Sequence, residues 1–111
     1  MKYIKKFEKS NVDKLKYQIG DYVICQEKGW LPSSNFLIFL DFIGNNIGQI
    51  VNKNTSVYDY IVKYENIPKE IKDYFNHQNG TSRDMTEFEI INHSKNKEKL
   101  ETILNIKKFN I

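Results

Sequence analysis

The chain has 111 residues, with 40% hydrophobic residues, 28% charged residues and a net charge of +3. This composition predicts one globular domain with a single core and excludes an intrinsically disordered chain. No apolar run approaches the roughly 20 residues of a membrane-spanning helix, and polar residues from Glu8 onward stand where a secretory signal would have its apolar segment. We therefore expect a cytoplasmic protein without a membrane anchor.

The first predicted elements are a lead-in segment and two strands. Residues 1–16 carry six lysines against two acids and form a basic lead-in. Apolar and β-branched residues predict a strand over about 21–27. The residues that follow, as far as Asn35, include Gly, Pro and two Ser and predict a loop that carries Trp30, the single tryptophan. Trp30 either caps one end of the β-rich domain or is exposed as an anchor for a partner. The apolar run after this loop predicts a buried strand over about 36–42.

The middle of the chain predicts two further strands joined by turns. Gly44, Asn45 and Asn46 are typical of a hairpin turn because these residues tolerate positive φ. Strands are expected over about 47–52 and 57–65. Alternation in the latter places Tyr58, Tyr60, Val62 and Tyr64 on one face, which we interpret as core packing rather than as an exposed docking platform.

The last third of the chain predicts two helices and one strand. A short helix is expected over 67–75, with Pro68 at its first position. A strand is expected over about 87–92. Ser94 is then a good N-cap for a helix over 95–104. The domain organisation that follows is a lead-in at 1–16, a β-rich domain at 17–94 and a C-terminal helix and tail at 95–111.

Residues that could carry chemistry are few. Cys25 is the single cysteine, which excludes an intrachain disulfide and favours a small buried side chain in a reducing cytoplasm. His77 and His93 are flanked by polar residues, with no ligand pattern around them, so neither a metal nor a cofactor is expected. The sequence also lacks a phosphate-binding glycine loop and a nucleophile elbow. We therefore expect a non-enzyme. The alternative, an enzyme, would require a pocket that joins Cys25 to a histidine.

Three segments resemble the SH3-like barrel family, and the KOW/Tudor type in particular. They are Gly20-Asp21-Tyr22-Val23, Ile47-Gly48-Gln49-Ile50-Val51 and Tyr60-Ile61-Val62-Lys63-Tyr64. The resemblance covers about residues 19–65, and the insert at 28–43 and the tail from residue 66 depart from it. It implies a mainly β, α+β fold: a small barrel of about five strands with a short helix and a C-terminal helix.

A second resemblance is one of style. Lysine supplies 16 of the 17 basic residues, Arg83 being the exception, and Ile and Asn are abundant. These residues share A/T-rich codons, so the bias is typical of an A/T-rich bacterial genome. The chain is similar to small proteins that phages and mobile elements carry in such bacteria, anti-CRISPR proteins among them. This likeness implies an inhibitor of a bacterial defence nuclease.

Charge distribution separates two functional hypotheses. Residues 17–94 carry ten acids against six bases, whereas both ends of the chain are basic. An acidic body favours contact with a basic protein surface, including one that normally holds nucleic acid. The predicted partner contacts are Trp30, Asp59, Glu65, Arg83, Asp84 and Glu87. The alternative is a KOW-like RNA- or ribosome-associated module that would use the terminal lysines, Lys2, Lys5, Lys6, Lys107 and Lys108.

Overall fold

The computed structural model describes residues 16–27, 33–54, 59–75 and 80–109. The predictions on the lead-in, Trp30, Tyr58 and His77 fall outside the described residues. Those residues form an α+β domain, and its elements in chain order are β1 (Tyr22–Cys25), α1 (Ser34–Asn45), β2 (Gly48–Asn54), β3 (Asp59–Lys63), a first 3-10 helix (Lys69–Tyr74), β4 (Ser82–Thr86), a second 3-10 helix (Glu87–Glu89), β5 (Ile90–Ser94) and α2 (Lys97–Phe109). None of the helices in the described ranges is long and apolar enough to cross a membrane.

The five strands form one antiparallel sheet in the order β4-β3-β2-β1-β5. The sheet is not a closed barrel, because β4 and β5 are its two edges and do not pair with each other. Only the second 3-10 helix separates these strands in sequence, so the chain from Thr86 to Ile90 can span at most about 14 Å. The edges of a flat five-stranded sheet would lie about 19 Å apart. The sheet is therefore strongly coiled where β4 runs into β5.

The core lies between the concave face of this sheet and helix α1. Tyr60, Val62 and Tyr64 are buried, which confirms the core face predicted for this strand. Aromatic rings from helix α1 and from the residue after the first 3-10 helix pack against Tyr64. Phe42 and Phe75 each lie with their ring centroids 5.7 Å from that of Tyr64. Aromatic pairs at such distances add to the stabilisation from burial alone.

The predicted strand over 36–42 is wrong, because this apolar run forms helix α1. Its buried residues are Phe36, Phe39, Phe42 and Ile43, a spacing of three and four that is typical of one helix face. The Ser33 hydroxyl accepts a hydrogen bond from the Phe36 N–H at 3.1 Å and caps the first turn. A short apolar run permits either a strand or a helix, and here the helical period and the cap decide.

The hairpin turn predicted at residues 44–46 is also wrong, since these residues end helix α1. The Asn45 side chain donates to the Asp41 carbonyl at 2.9 Å, and the Asn46 side chain donates to the Phe42 carbonyl at 2.8 Å. The last turn of a helix leaves carbonyls without an intrahelical donor. The two asparagines therefore satisfy helix carbonyls instead of forming a turn between strands.

The last strand, predicted over about 87–92, is present but begins at Ile90, because residues 87–89 form the second 3-10 helix. Two strands, β4 and β5, flank the second 3-10 helix in this part of the chain. The predicted short helix over 67–75 is present as the first 3-10 helix. The C-terminal helix is confirmed but begins later, because the Asn96 side chain accepts the Glu98 N–H at 2.9 Å. The Ser94 hydroxyl instead accepts the Asn96 N–H at 2.9 Å, so Ser94 holds the capping residue rather than the helix itself.

Candidate partner-binding site

The sheet brings three of the predicted contact residues together at one end of β3 and β4. Asp59 lies opposite Thr86, and Asp84 lies opposite Ile61. Diagonal neighbours of this kind have Cα atoms roughly 7 to 8 Å apart on one face of a sheet. Burial raises the pKa of Asp59, and the negative charge of Asp84 raises it further. Glu87 follows Thr86 directly, so this end of the sheet carries a group of carboxylates.

Phe88 follows Glu87 at this end of the sheet and is the feature that sequence reasoning missed. Its side chain is 91% exposed, the highest value among the exposed large hydrophobic residues of the described chain. Glu87 precedes it and Glu89 follows it. We call the surface formed by Asp59, Asp84, Glu87 and Phe88 the Phe88 patch. Aromatic residues, phenylalanine among them, are enriched at the buried centre of protein–protein interfaces.

The backbone under Phe88 is fixed by a capping box in the second 3-10 helix. The Thr86 N–H donates to Glu89 Oε1 at 2.7 Å, and the Thr86 side chain accepts from the Glu89 backbone. The Glu89 carbonyl in turn accepts the Gln26 N–H at 2.7 Å, which ties the helix to the end of β1. A Thr-x-x-Glu pattern is the sequence signal of such a box, so the turn could have been found from Thr86 and Glu89.

Arg83 lies on the other side of β4 and takes part in an interior ion pair. Its guanidinium donates to both carboxylate oxygens of Glu27, with Nη2 3.0 Å from Oε1, and to the Tyr74 carbonyl at 2.6 Å. It also lies 4.7 Å from the centre of the Phe39 ring. Burial alone would lower the pKa of Arg83, but Glu27 outweighs it and the pKa is raised. We call this group the Arg83 clamp. The sequence predicted Arg83 as a partner contact and gave no sign of its pairing with Glu27.

The remaining predicted contacts lie elsewhere or outside the described residues. Glu65 follows the opposite end of β3 and lines a polar depression of about 350 Å³ together with Lys63, Lys97 and Glu101. The structure therefore does not bring Glu65 to the Phe88 patch. Trp30 falls outside the described ranges, so its contact with a partner stays a prediction.

The lysines of the nucleic-acid hypothesis are described only in part. Lys107 lies on helix α2, and its ammonium group is 3.4 Å from the Gly44 carbonyl. Helix α2 also includes Lys108, whose side chain is not among the described ones, and Lys2, Lys5 and Lys6 lie outside the described ranges. A basic surface built from both ends of the chain therefore stays a prediction.

Cys25 is placed in the core, away from solvent. Burial raises the pKa of its thiol to about 12, and the carboxylates of Glu89 and Glu27 add to this, while the Tyr64 hydroxyl acts in the opposite direction. The described histidine, His93, is exposed and has its ring centroid 4.6 Å from that of Tyr17. Cys25 is thus a buried core side chain, as the sequence predicted, and its thiol is protonated at neutral pH. Within the described residues, no group of three or more His, Cys, Asp or Glu side chains could hold a metal ion.

Comparison with known proteins returned no match: no protein-family model, no curated protein and no solved structure matches this chain.

Proposed function

We propose that this chain is a non-catalytic protein-binding module whose Phe88 patch docks on a basic protein surface. The observation that carries the proposal is the 91% exposure of Phe88 at the end of the sheet that also carries Asp59, Asp84 and Glu87. Transfer of a phenylalanine side chain from water into an apolar pocket contributes about 1.5 to 3 kcal/mol. The complementary partner therefore has an apolar pocket for Phe88 and lysine or arginine side chains around it.

The charge of the patch favours a protein partner over nucleic acid. Carboxylates repel phosphate groups, whereas they attract lysine and arginine side chains and accelerate association at low salt. A basic surface that normally holds nucleic acid fits this requirement. The proposed partner is accordingly a nucleic-acid-binding effector, and the style of the sequence supports a phage-encoded inhibitor of a bacterial defence nuclease.

The scaffold in this proposal is an SH3-like barrel that is open between β4 and β5. Two observations support it. The three-residue connection between these edge strands requires a strongly coiled sheet. The Arg83 clamp also joins β4 to the residue that follows β1 by two positions, across two intervening strands. A coiled sheet of this kind displays its connecting segments at the ends, where the Phe88 patch lies.

A pull-down from host lysate, with and without nuclease treatment, identifies the partner, and the decisive measurement then uses that purified partner. We expect Phe88→Ser to weaken its affinity by about tenfold or more, since the burial of one phenylalanine is lost. Charge reversal at Asp84 or Glu87 should weaken the affinity more at low salt than at high salt. Far-ultraviolet circular dichroism verifies that each variant is folded.

Two control variants match these changes. Leu37→Ser removes a side chain that is 61% exposed on helix α1, and Glu101→Lys reverses a charge on helix α2. Both should leave the affinity unchanged. Equal affinity of the wild type and of all the patch variants would exclude the Phe88 patch. Partners that disappear with nuclease treatment would instead support the RNA- or ribosome-associated module.

A further inference from the structure

One side chain, that of Glu89, holds the segment that presents Phe88. Its carboxylate accepts the Thr86 N–H at 2.7 Å, and its own backbone N–H donates to the Thr86 side chain. These two hydrogen bonds close the capping box on both sides of Phe88. A three-residue 3-10 helix has few internal hydrogen bonds, so its conformation depends on such contacts.

The surroundings of Glu89 connect this capping box to the interior. Glu27 from the end of β1 and Arg83 from β4 both act on its carboxylate, as members of the Arg83 clamp. Burial raises the pKa of Glu89, Glu27 raises it further, and the Thr86 N–H and Arg83 oppose these effects. The Gln26 N–H also binds the Glu89 carbonyl. The hydrogen bonds that fix the position of Glu89 thus come from Thr86 at the end of β4 and from Gln26, directly after β1.

We infer that Glu89 is a positioning residue, which keeps Phe88 ordered and exposed in the free protein before any partner binds. The value of that order for binding rests on the proposed function, but the order itself is a property of the free chain. A preordered anchor loses less conformational freedom on association than a mobile one. An aromatic side chain on an ordered turn is also less able to fold back onto the core.

Nuclear magnetic resonance relaxation on the free full chain tests this inference. In the wild type we expect backbone order parameters near 0.85 at Glu87 and Phe88, as in ordered elements, and in Glu89→Ala values below about 0.6. Glu89→Gln should retain the wild-type order, because the glutamine carbonyl can still accept the Thr86 N–H. Thr86→Val, which removes the other hydrogen bond of the box, should lower the order in the same direction.

The backbone amides of Tyr60 and Val62 in the core serve as internal controls, and their order parameters should not change in any variant. If Glu89→Ala unfolds the chain, Thr86→Val and Glu89→Gln still give the comparison. The inference is overturned if the Phe88 amide stays equally ordered in Glu89→Ala or in Thr86→Val. The outcome does not depend on a partner, so failure of the Phe88 patch in the affinity measurement would leave this result standing.

Discussion

Asp21 connects two parts of the chain that are far apart in sequence. It is 4% exposed, and its carboxylate accepts the Gln18 N–H at 3.1 Å and the Lys95 ammonium at 2.8 Å. Burial alone would raise the pKa of Asp21, but these two donors outweigh it, so the pKa is below its ordinary value. The aspartate of the Gly-Asp-x-Val segment thus has a structural role at the start of β1.

The lowered pKa makes the contribution of Asp21 to stability dependent on pH. The ionised carboxylate stabilises the fold at any pH above its ordinary pKa of 3.8, and the contribution is lost as the pH falls below that value through the folded pKa. We expect Asp21→Asn to lower the free energy of unfolding by about 1 to 3 kcal/mol at pH 7, because a charged hydrogen-bond acceptor is removed.

Urea denaturation of both proteins between pH 2.5 and pH 7 measures this difference. It should shrink as the pH falls below about 4, because Asp21 takes up a proton first in the unfolded chain and, at lower pH, in the folded one. Asp73→Asn, at an exposed position on the first 3-10 helix, is the matched control and should show little difference at any pH. A destabilisation by Asp21→Asn that is the same at every pH would contradict the argument.

Strands β2 and β3 could be predicted from the sequence because their side chains alternate between core and solvent. Tyr60, Val62 and Tyr64 show this alternation clearly. Helix α1 could not, since nearly every residue of its run is apolar and the helical period is visible only in which ones are buried. The tertiary contacts of Phe39 and Phe42 with Tyr74 and Phe75 favour the helix, and no local pattern reveals them.

The candidate site could be predicted in its charges but not in its anchor. Asp59, Asp84 and Glu87 follow from the acidic middle of the chain, and the register of β3 and β4 brings them together. The sequence places Phe88 in a strand, where a phenylalanine is expected to be half-buried. Had Thr86 been recognised as a helix cap, the predicted strand would have begun after Phe88, and Phe88 would have been predicted on an exposed turn.

Gly48 in β2 and Gly44 in α1 differ in the space available for a side chain, and this difference can be tested by substitution. A Cβ atom at Gly48 would lie 2.9 Å from Tyr64 Cζ and closer still to Val62 Cγ1, both of which belong to the core. We expect Gly48→Ala to lower the free energy of unfolding by about 1 to 3 kcal/mol, since the core must be displaced. Thermal denaturation measures the change, and a melting temperature equal to that of the wild type would contradict the close approach.

Gly44→Ala is the matched control on helix α1. A Cβ atom there has no heavy atom within 4 Å, so nothing obstructs it. Alanine is favoured over glycine inside a helix by up to about 1 kcal/mol, and this variant should therefore melt at the same temperature as the wild type or higher.

At the scale of the whole molecule, the Arg83 clamp holds the coiled sheet and the helices in one arrangement. Arg83 belongs to β4, Glu27 follows β1, and Tyr74 ends the first 3-10 helix. In a flat sheet β1 and β4 would be about 14 Å apart, a separation that an arginine and a glutamate could bridge only with both side chains fully extended. Glu27 is 9% exposed and Arg83 27% exposed as side chains, so the pair is shielded from solvent.

Removal of one partner of this ion pair should lower the free energy of unfolding more than replacement of both partners. We expect Glu27→Ala to lower the free energy of unfolding by about 2 to 4 kcal/mol, because it leaves the arginine charge half-buried without its counter-ion. The double variant Glu27→Leu with Arg83→Met should recover a large part of this loss. Chemical denaturation of the three proteins measures the differences, and a single variant as stable as the wild type would show that the clamp is dispensable.

The pairing of β1 with β5 also determines when the fold can be completed during synthesis. Tyr22 pairs with Ser94 and Val23 pairs with His93, so β1 acquires its second neighbour only after more than 90 residues have left the ribosome. Until then one edge of β1 is open, and Asp21 has no lysine beside it. Contacts between residues so distant in sequence slow folding, because a long loop must close before they form. During synthesis, one edge of β1 thus stays exposed until a late step, the pairing of β5 with β1, covers it.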